Sequence, residues 1–224
     1  MALFSNAAVL LGKELRTEYR SRELLTTTVV FILLIFMLFS ISFHPTTSES
    51  QQFGPGLLWM AFLFAASLML QACFLREQNN DTLSALRLSV NDPFVIFFAK
   101  LTANTLFLLL TELFMLPFFA GFFNIRVLSV LPQLLLVFFL GSLGIAIPGT
   151  AFSAISAQAR MRELMLPLLL LPVLTPVLIA STEVTAGLLG SAPSLNYAGL
   201  GIMVGFDVVF LTVLWLFGEY LLEE

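Results

Sequence analysis

Six long apolar runs, separated by short polar breaks, organise the chain. The first covers residues 24–43 and stops at His44-Pro45, where a polar stretch, Thr46–Phe53, leads to Gly54-Pro55. The others cover residues 56–75, 94–123, 127–153, 164–181 and 199–217. A hydrocarbon layer of about 30 Å needs around 20 apolar residues in a helix, so each run is long enough to cross it. Closed backbone hydrogen bonding inside lipid favours helices for such runs. The pattern therefore predicts an all-α polytopic membrane protein with six transmembrane helices and no separate soluble domain. Residues 8–23 differ: Val9, Leu10, Leu15 and Tyr19 fall near helical spacing among Lys13, Glu14, Arg16, Glu18, Arg20 and Arg22. That spacing predicts an amphipathic helix lying in the headgroup layer. The first apolar run is too long for a signal-peptide core of about 7–15 residues and is read as a retained signal-anchor helix.

Composition strengthens this picture. Apolar residues make up 59% of the chain and charged residues 11%, against roughly 45–50% and about 25% in ordinary globular proteins. Net charge is −4, but the distribution of basic residues says more than the sum. Lys13, Arg16, Arg20, Arg22, Arg76, Arg87, Lys100, Arg160 and Arg162 fall on one side of the predicted spans, and Arg126 falls on the other. Basic residues collect on the cytoplasmic side, so both termini are expected there. Cys73 is the single cysteine, which excludes an intrachain disulfide and reads as a small packing residue.

The expected chemistry is not enzymatic. No Gly-x-x-x-x-Gly-Lys-Ser/Thr phosphate loop occurs, so ATP hydrolysis is not expected on this chain. One histidine cannot build a multi-histidine zinc site, and no nucleic-acid partner is indicated. Two acids, Glu112 and Asp207, lie deep in apolar runs. A charge at the centre of a span costs about 2.5–3.5 kcal/mol on insertion scales, so such residues face the bundle interior. Lys100 lies 12 residues before Glu112, roughly 18 Å along a helix, too far to pair with it. Glu112 is expected to be protonated or to bond hydroxyl or amide groups of other spans; a structural role and a transport-linked role both fit it and Asp207. Pro167, Pro172 and Pro176 in the fifth run each remove a backbone donor, which fits either a kinked packing helix or a hinge. Residues 183–198 are apolar enough to suggest a short re-entrant dip. His44 reads as an interfacial residue, with contact to a haem iron as the alternative.

The polar segment 76–93 is longer than a connection needs. Thr82, Leu83, Leu86 and Leu88 are set among Arg76, Glu77, Asp81, Arg87 and Asp92, a short amphipathic pattern suited to a groove on a soluble partner.

Several local strings, in order, resemble one family. They are Lys13-Glu14-Leu15-Arg16 with Tyr19-Arg20-Ser21-Arg22-Glu23, then Pro55-Gly56-Leu57-Leu58-Trp59, Phe74-Leu75-Arg76-Glu77, Ala99-Lys100-Leu101, Leu116-Pro117 beyond Glu112, and the proline-spaced run Leu166–Val177. Together they resemble the haem exporter protein B (CcmB) family, the permease subunit of the cytochrome c maturation ABC transporter of bacteria. In the segment 76–93 this chain departs from the family pattern: Asn80-Asp81-Thr82-Leu83-Ser84 stands where an acid–glycine–small–leucine–glutamate string is expected. The resemblance implies an export-type ABC permease in the inner membrane, working as a homodimer. It implies an ATP-binding subunit (CcmA-like), a haem-handling membrane protein (CcmC-like), a small membrane subunit (CcmD-like) and a periplasmic haem chaperone (CcmE-like) as partners. On this reading ATP is used by the partner, haem is cargo or is released on the chaperone, and no cofactor resides on this chain. ATPase coupling is expected at Arg76, Glu77, Asp81, Leu83, Leu86 and Arg87, with Arg160, Arg162 and Glu163 as a second contact. Two alternatives are a membrane scaffold that moves nothing and an ABC permease for another hydrophobic cargo.

Overall fold

The computed structural model describes residues 10–13, 16, 23–79, 93–157 and 162–217. Within them the fold is all-α. Helix α1 spans Glu23–Phe43, α2 Thr47–Asn79, α3 Pro93–Phe123, α4 Leu131–Ala157, α5 Arg162–Leu189 and α6 Tyr197–Phe217, with a 3-10 turn at Leu128–Val130 before α4. All six helices are long and apolar enough to cross a membrane. The α1–α2, α3–α4 and α5–α6 links share one end of the bundle, here called the His44 end. The opposite end carries the α2–α3 and α4–α5 links. Of the predicted interfacial helix, Leu10–Lys13 and Arg16 are helical, with Leu10 and Leu11 half-buried against the core and Gly12, Lys13 and Arg16 exposed. The rest of residues 8–22 lies outside the described residues.

Local chemistry explains why the helices end where they do, and it corrects two boundaries. Helix α1 closes on His44, which adopts a left-handed φ of 41° and donates its N–H to Ser40 O at 3.1 Å. This is the single-bond left-handed helix cap, with Pro45 following to prevent continuation. Thr46–Phe53, expected as a loop, instead opens α2. Thr46-Thr47-Ser48-Glu49 forms a capping box: Thr46 N donates to Glu49 Oε2 at 2.8 Å and Glu49 N to Thr46 Oγ1 at 3.4 Å. This reciprocal pairing satisfies otherwise open helix donors. Pro55 then sits inside the helix. With 33 residues, α2 is roughly 50 Å long and extends beyond the hydrocarbon layer.

Helix α3 stops at Asn124, with φ 51°, and Ile125 N reaches back to Ala120 O at 3.1 Å, the longer-range bond of a Schellman cap. Helix α5 runs to Leu189 rather than ending near Ser181. Val184, Leu188 and Leu189 are buried in its last turns, so the apolar character of residues 183–189 reflects continued packing of α5, not a separate re-entrant helix. Residues 190–196 turn, with Ser194 N bonded to Gly187 O at 2.9 Å. Asn196 caps α6 through its side chain, accepting from Gly199 N at 3.1 Å.

Helices α2 and α4 form the interior. In the spanning part of α2, 67% of residues are buried, against 17% in α1 and 22% in α6. Helix α4 packs against α2, α3, α5 and α6, whereas α1 packs on α2 and α3 and α6 on α4 and α5. The outward faces carry Leu34, Leu38, Val208 and Trp215, each more than half exposed, as suits side chains solvated by acyl chains. Among helices in lipid there is no hydrophobic drive to associate, and small residues that let backbones approach decide the contacts. Gly141 in α4 is such a residue: a Cβ there would run into the Trp59 ring, while Trp59 Nε1 donates to Thr185 Oγ1 at 2.9 Å. Phe62 and Phe138 meet Trp59 edge-on, both with ring centroids 6.0 Å away. Nearer the His44 end, Phe36 of α1 packs on Phe119 and Phe123 of α3 at 5.5 and 6.0 Å.

Gly141→Ala is expected to lower the free energy of unfolding of the purified protein in detergent by about 1–3 kcal/mol, the usual range for overpacking. Gly205→Ala, where nothing lies within 4 Å of an added Cβ, is expected to change it by less than about 0.5 kcal/mol.

Candidate functional site

Both intramembrane acids turn inward onto α4. Glu112 is 1% exposed and Asp207 6%. Ser142 Oγ donates to Glu112 Oε2 at 2.8 Å, while Glu112 Oε1 has no partner among the described residues. Asp207 is different: neither of its oxygens has a partner among the described residues. It fits because Gly144 has no side chain; a Cβ there would lie 3.0 Å from Asp207 Oδ1 and 2.8 Å from Val177 Cγ2.

Helix geometry relates the two acids. Ser142 and Gly144 are two residues apart, so they project at roughly 200° to one another and only about 3 Å apart along the axis. Glu112 of α3 and Asp207 of α6 thus approach α4 from nearly opposite sides at nearly the same depth. That depth is mid-membrane: Ser142 is at the centre of the span Leu128–Ser156, and Asp207 is central in Tyr197–Leu216. One helix separates the two carboxylates and contacts the helices that carry both.

Further polar contacts lie along the same helix. Asn104 Nδ2 of α3 donates to Thr150 Oγ1 at 2.9 Å. Ser153 Oγ donates to Leu70 O of α2 at 2.6 Å. Lys100, one turn before Asn104 on α3, is 2% exposed; it lies inside the bundle, not among the loop charges with which the sequence groups it. Apart from Lys100, which lies in the family-like string Ala99-Lys100-Leu101, these residues carry no motif. The cue for Lys100 and Asn104 is their spacing of four, which puts both on one face of α3.

The other expected site residues fall as follows. Pro167, Pro172 and Pro176 lie within α5, which continues through all three. Pro172 and Pro176 are exposed on the same face, toward lipid, and Pro167 is half-buried. Thr175 and Ser181 return their hydroxyls to Leu171 O and Val177 O, at 2.8 and 2.7 Å. His44 is exposed and is occupied as a helix cap. Arg76 and Glu77 belong to the last turns of α2, and Arg162 and Glu163 to the first turn of α5. Asp81, Leu83, Leu86, Arg87 and Arg160 lie outside the described residues, as does the side chain of Cys73.

The relative strength of the two carboxylate contacts is testable. A double-mutant cycle of Glu112→Leu with Ser142→Ala is expected to give a coupling of about 0.6–1.7 kcal/mol in unfolding measurements in bicelles, the range for hydrogen bonds between membrane helices. Asp207→Asn, which preserves shape where no bond exists, is expected to be neutral or stabilising.

Comparison with known proteins adds a second, independent line. The family profile described as "CcmB protein" matches residues 5–217. The chain is also 29% identical over 187 residues to "Heme exporter protein B" of Pseudomonas aeruginosa, an alignment covering 84% of this chain and 83% of that protein. With nearly its whole length matched, across all six long apolar helices, the chain belongs to the CcmB protein family.

Proposed function

We propose that this chain is the permease subunit of an ABC transporter in cytochrome c biogenesis, multi-pass in a bacterial inner membrane with both termini cytoplasmic. A separate subunit hydrolyses ATP, and its movement reaches the spans through residues 76–93, with Arg160, Arg162 and Glu163 as a second contact. Haem is exported or is released on its periplasmic chaperone, and two copies of the chain form the core. Family membership supports the class of protein, and the name of the Pseudomonas aeruginosa relative, a haem exporter, supports the cargo.

The single observation that carries the mechanism is the placement of Glu112 and Asp207 on opposite sides of α4. A buried carboxylate with unfilled acceptor sites gains by finding donors. The bundle therefore has one half-filled contact, at Ser142, and one open contact, at Asp207, among the described residues. A shift or rotation of α4 relative to α3 and α6 changes both contacts at once. Two arrangements of such a bundle differ in how they present the cytoplasmic segments, so a partner that binds one better moves the population toward it. The prolines of α5 supply a place where that helix bends at low cost, since their missing donors already interrupt the ladder.

Two results test this reading. Arg87→Glu together with Leu83→Asp and Leu86→Asp is expected to abolish co-purification of the ATP-binding subunit; undiminished association removes the docking segment from the mechanism. Glu112→Gln and Asp207→Asn are expected to lower the yield of haem-loaded cytochrome c severalfold while the ATP-binding subunit still co-purifies. Full yield from both variants favours a scaffold that positions haem-handling partners and moves nothing.

A further inference from the structure

At the His44 end, three links between spans enclose a polar recess of about 400 Å³. Thr47 and Gln51 come from the first turns of α2, Asn124, Arg126 and Ser129 from the α3–α4 link, and Ser191 from the α5–α6 link. Buried Leu188 and Leu189 supply its apolar wall. Its volume falls in the range of small-ligand sites. The mechanism proposed above does not use it.

We infer that this recess binds a phosphate-type oxyanion at headgroup depth, with Arg126 as the charged anchor. Arg126 is the single lysine or arginine in the links of this end. The left-handed Asn124 cap sets its position, ending α3 and turning the chain so that Arg126 and Ser129 reach the same recess. No acid lines the recess among the described residues. The nearest described acid along the chain, Glu49, is engaged by Thr46.

The local fields point the same way. Thr47 begins α2, whose N-terminal end bears a partial positive charge, and Arg126 adds a full one. Against these stand the partial negative charges at the C-terminal ends of α3 and α5, where the Ala120 and Gly187 carbonyls already accept the Ile125 and Ser194 N–H groups. A guanidinium offers a phosphate a forked pair of donors. Hydroxyls of Thr47, Ser129 and Ser191 and amides of Gln51 and Asn124 surround it with further donors. The recess lies where the ends of spans meet the headgroup layer, so the anion comes either from a lipid headgroup or from free phosphate.

The test uses the full chain purified in neutral detergent, as wild type, Arg126→Gln and Arg126→Lys. Retention of added phosphatidylglycerol is read by native mass spectrometry, and thermal stabilisation by inorganic phosphate is read separately. Wild type is expected to bind at least one probe, with affinity about tenfold or more weaker in Arg126→Gln, the loss of a charge-assisted bond, and largely kept in Arg126→Lys. Retained phosphatidylglycerol assigns the site to a lipid; stabilisation by inorganic phosphate alone assigns it to a free anion. Equal binding of both probes by wild type and Arg126→Gln, or binding of neither by wild type, overturns the inference. Should Arg126→Gln fail to fold, Ser129→Ala with Ser191→Ala carries the same test: these exposed link residues lie away from the buried core, and unchanged probe binding in that double variant also overturns the inference.

Discussion

The hydrogen bond from Ser142 to Glu112, and the bare Gly144 that admits Asp207, tie the bundle to α4. In lipid, an apolar helix face gains little by choosing a helix over acyl chains. Close approach and polar contact must therefore decide which faces meet. Helix α4 supplies both: Gly141 receives the Trp59 ring, Ser142 and Thr150 bond α3, Ser153 bonds α2, and Gly144 receives α5 and α6. Away from α4, the Trp59–Thr185 hydrogen bond joins α2 to α5, and Phe36 packs α1 on α3. Helices α1 and α6 are held at the margin, with most of their surface toward lipid.

This arrangement also gives the family's function a physical form. A permease must hold two packings of nearly equal free energy, and a bundle bound entirely by filled, well-paired contacts would favour one. Here one carboxylate is paired through one of its two oxygens and the other has no partner among the described residues, on opposite sides of the same helix. On the proposed mechanism, movement at residues 76–93 that displaces α4 is felt by both. On the proposed mechanism, Asp207 is a feature whose cost to stability is offset by what it permits in the cycle, in keeping with the functional use of acids buried in spans.

Much of the architecture is legible from sequence because the physical signal is strong and local. Twenty-residue apolar runs need no knowledge of their neighbours to be read as spans, and the depth of Glu112 and Asp207 follows from counting along them. The start of α2 was also legible in principle: Thr46 and Glu49 stand at capping-box spacing, but the polar look of Thr46–Phe53 hides a helix that begins outside the hydrocarbon layer. The extension of α5 to Leu189 is hidden in the same way by Glu183, which is exposed while Val184 on the other side is buried. The partners of the acids were not legible. Ser142 lies 30 residues from Glu112, and no periodicity within α3 or α4 indicates which faces meet. Likewise Lys100 looks like a loop charge until the depth of α3 is known. The cargo is not written in the lipid-facing surface, and only comparison with relatives brings it in.

The claim that the spans rearrange about α4 is tested most directly by a distance across it. Spin labels placed in a Cys73→Ser background at Phe122 of α3 and Ile202 of α6, both on lipid-facing surface, report that distance by pulsed electron resonance in the assembled transporter. The account predicts a change of about 2 Å or more between nucleotide-free and ATP-trapped states, in keeping with helix shifts in switching bundles, and its loss when the ATP-binding subunit is left out. The same distance distribution in every nucleotide state would contradict it.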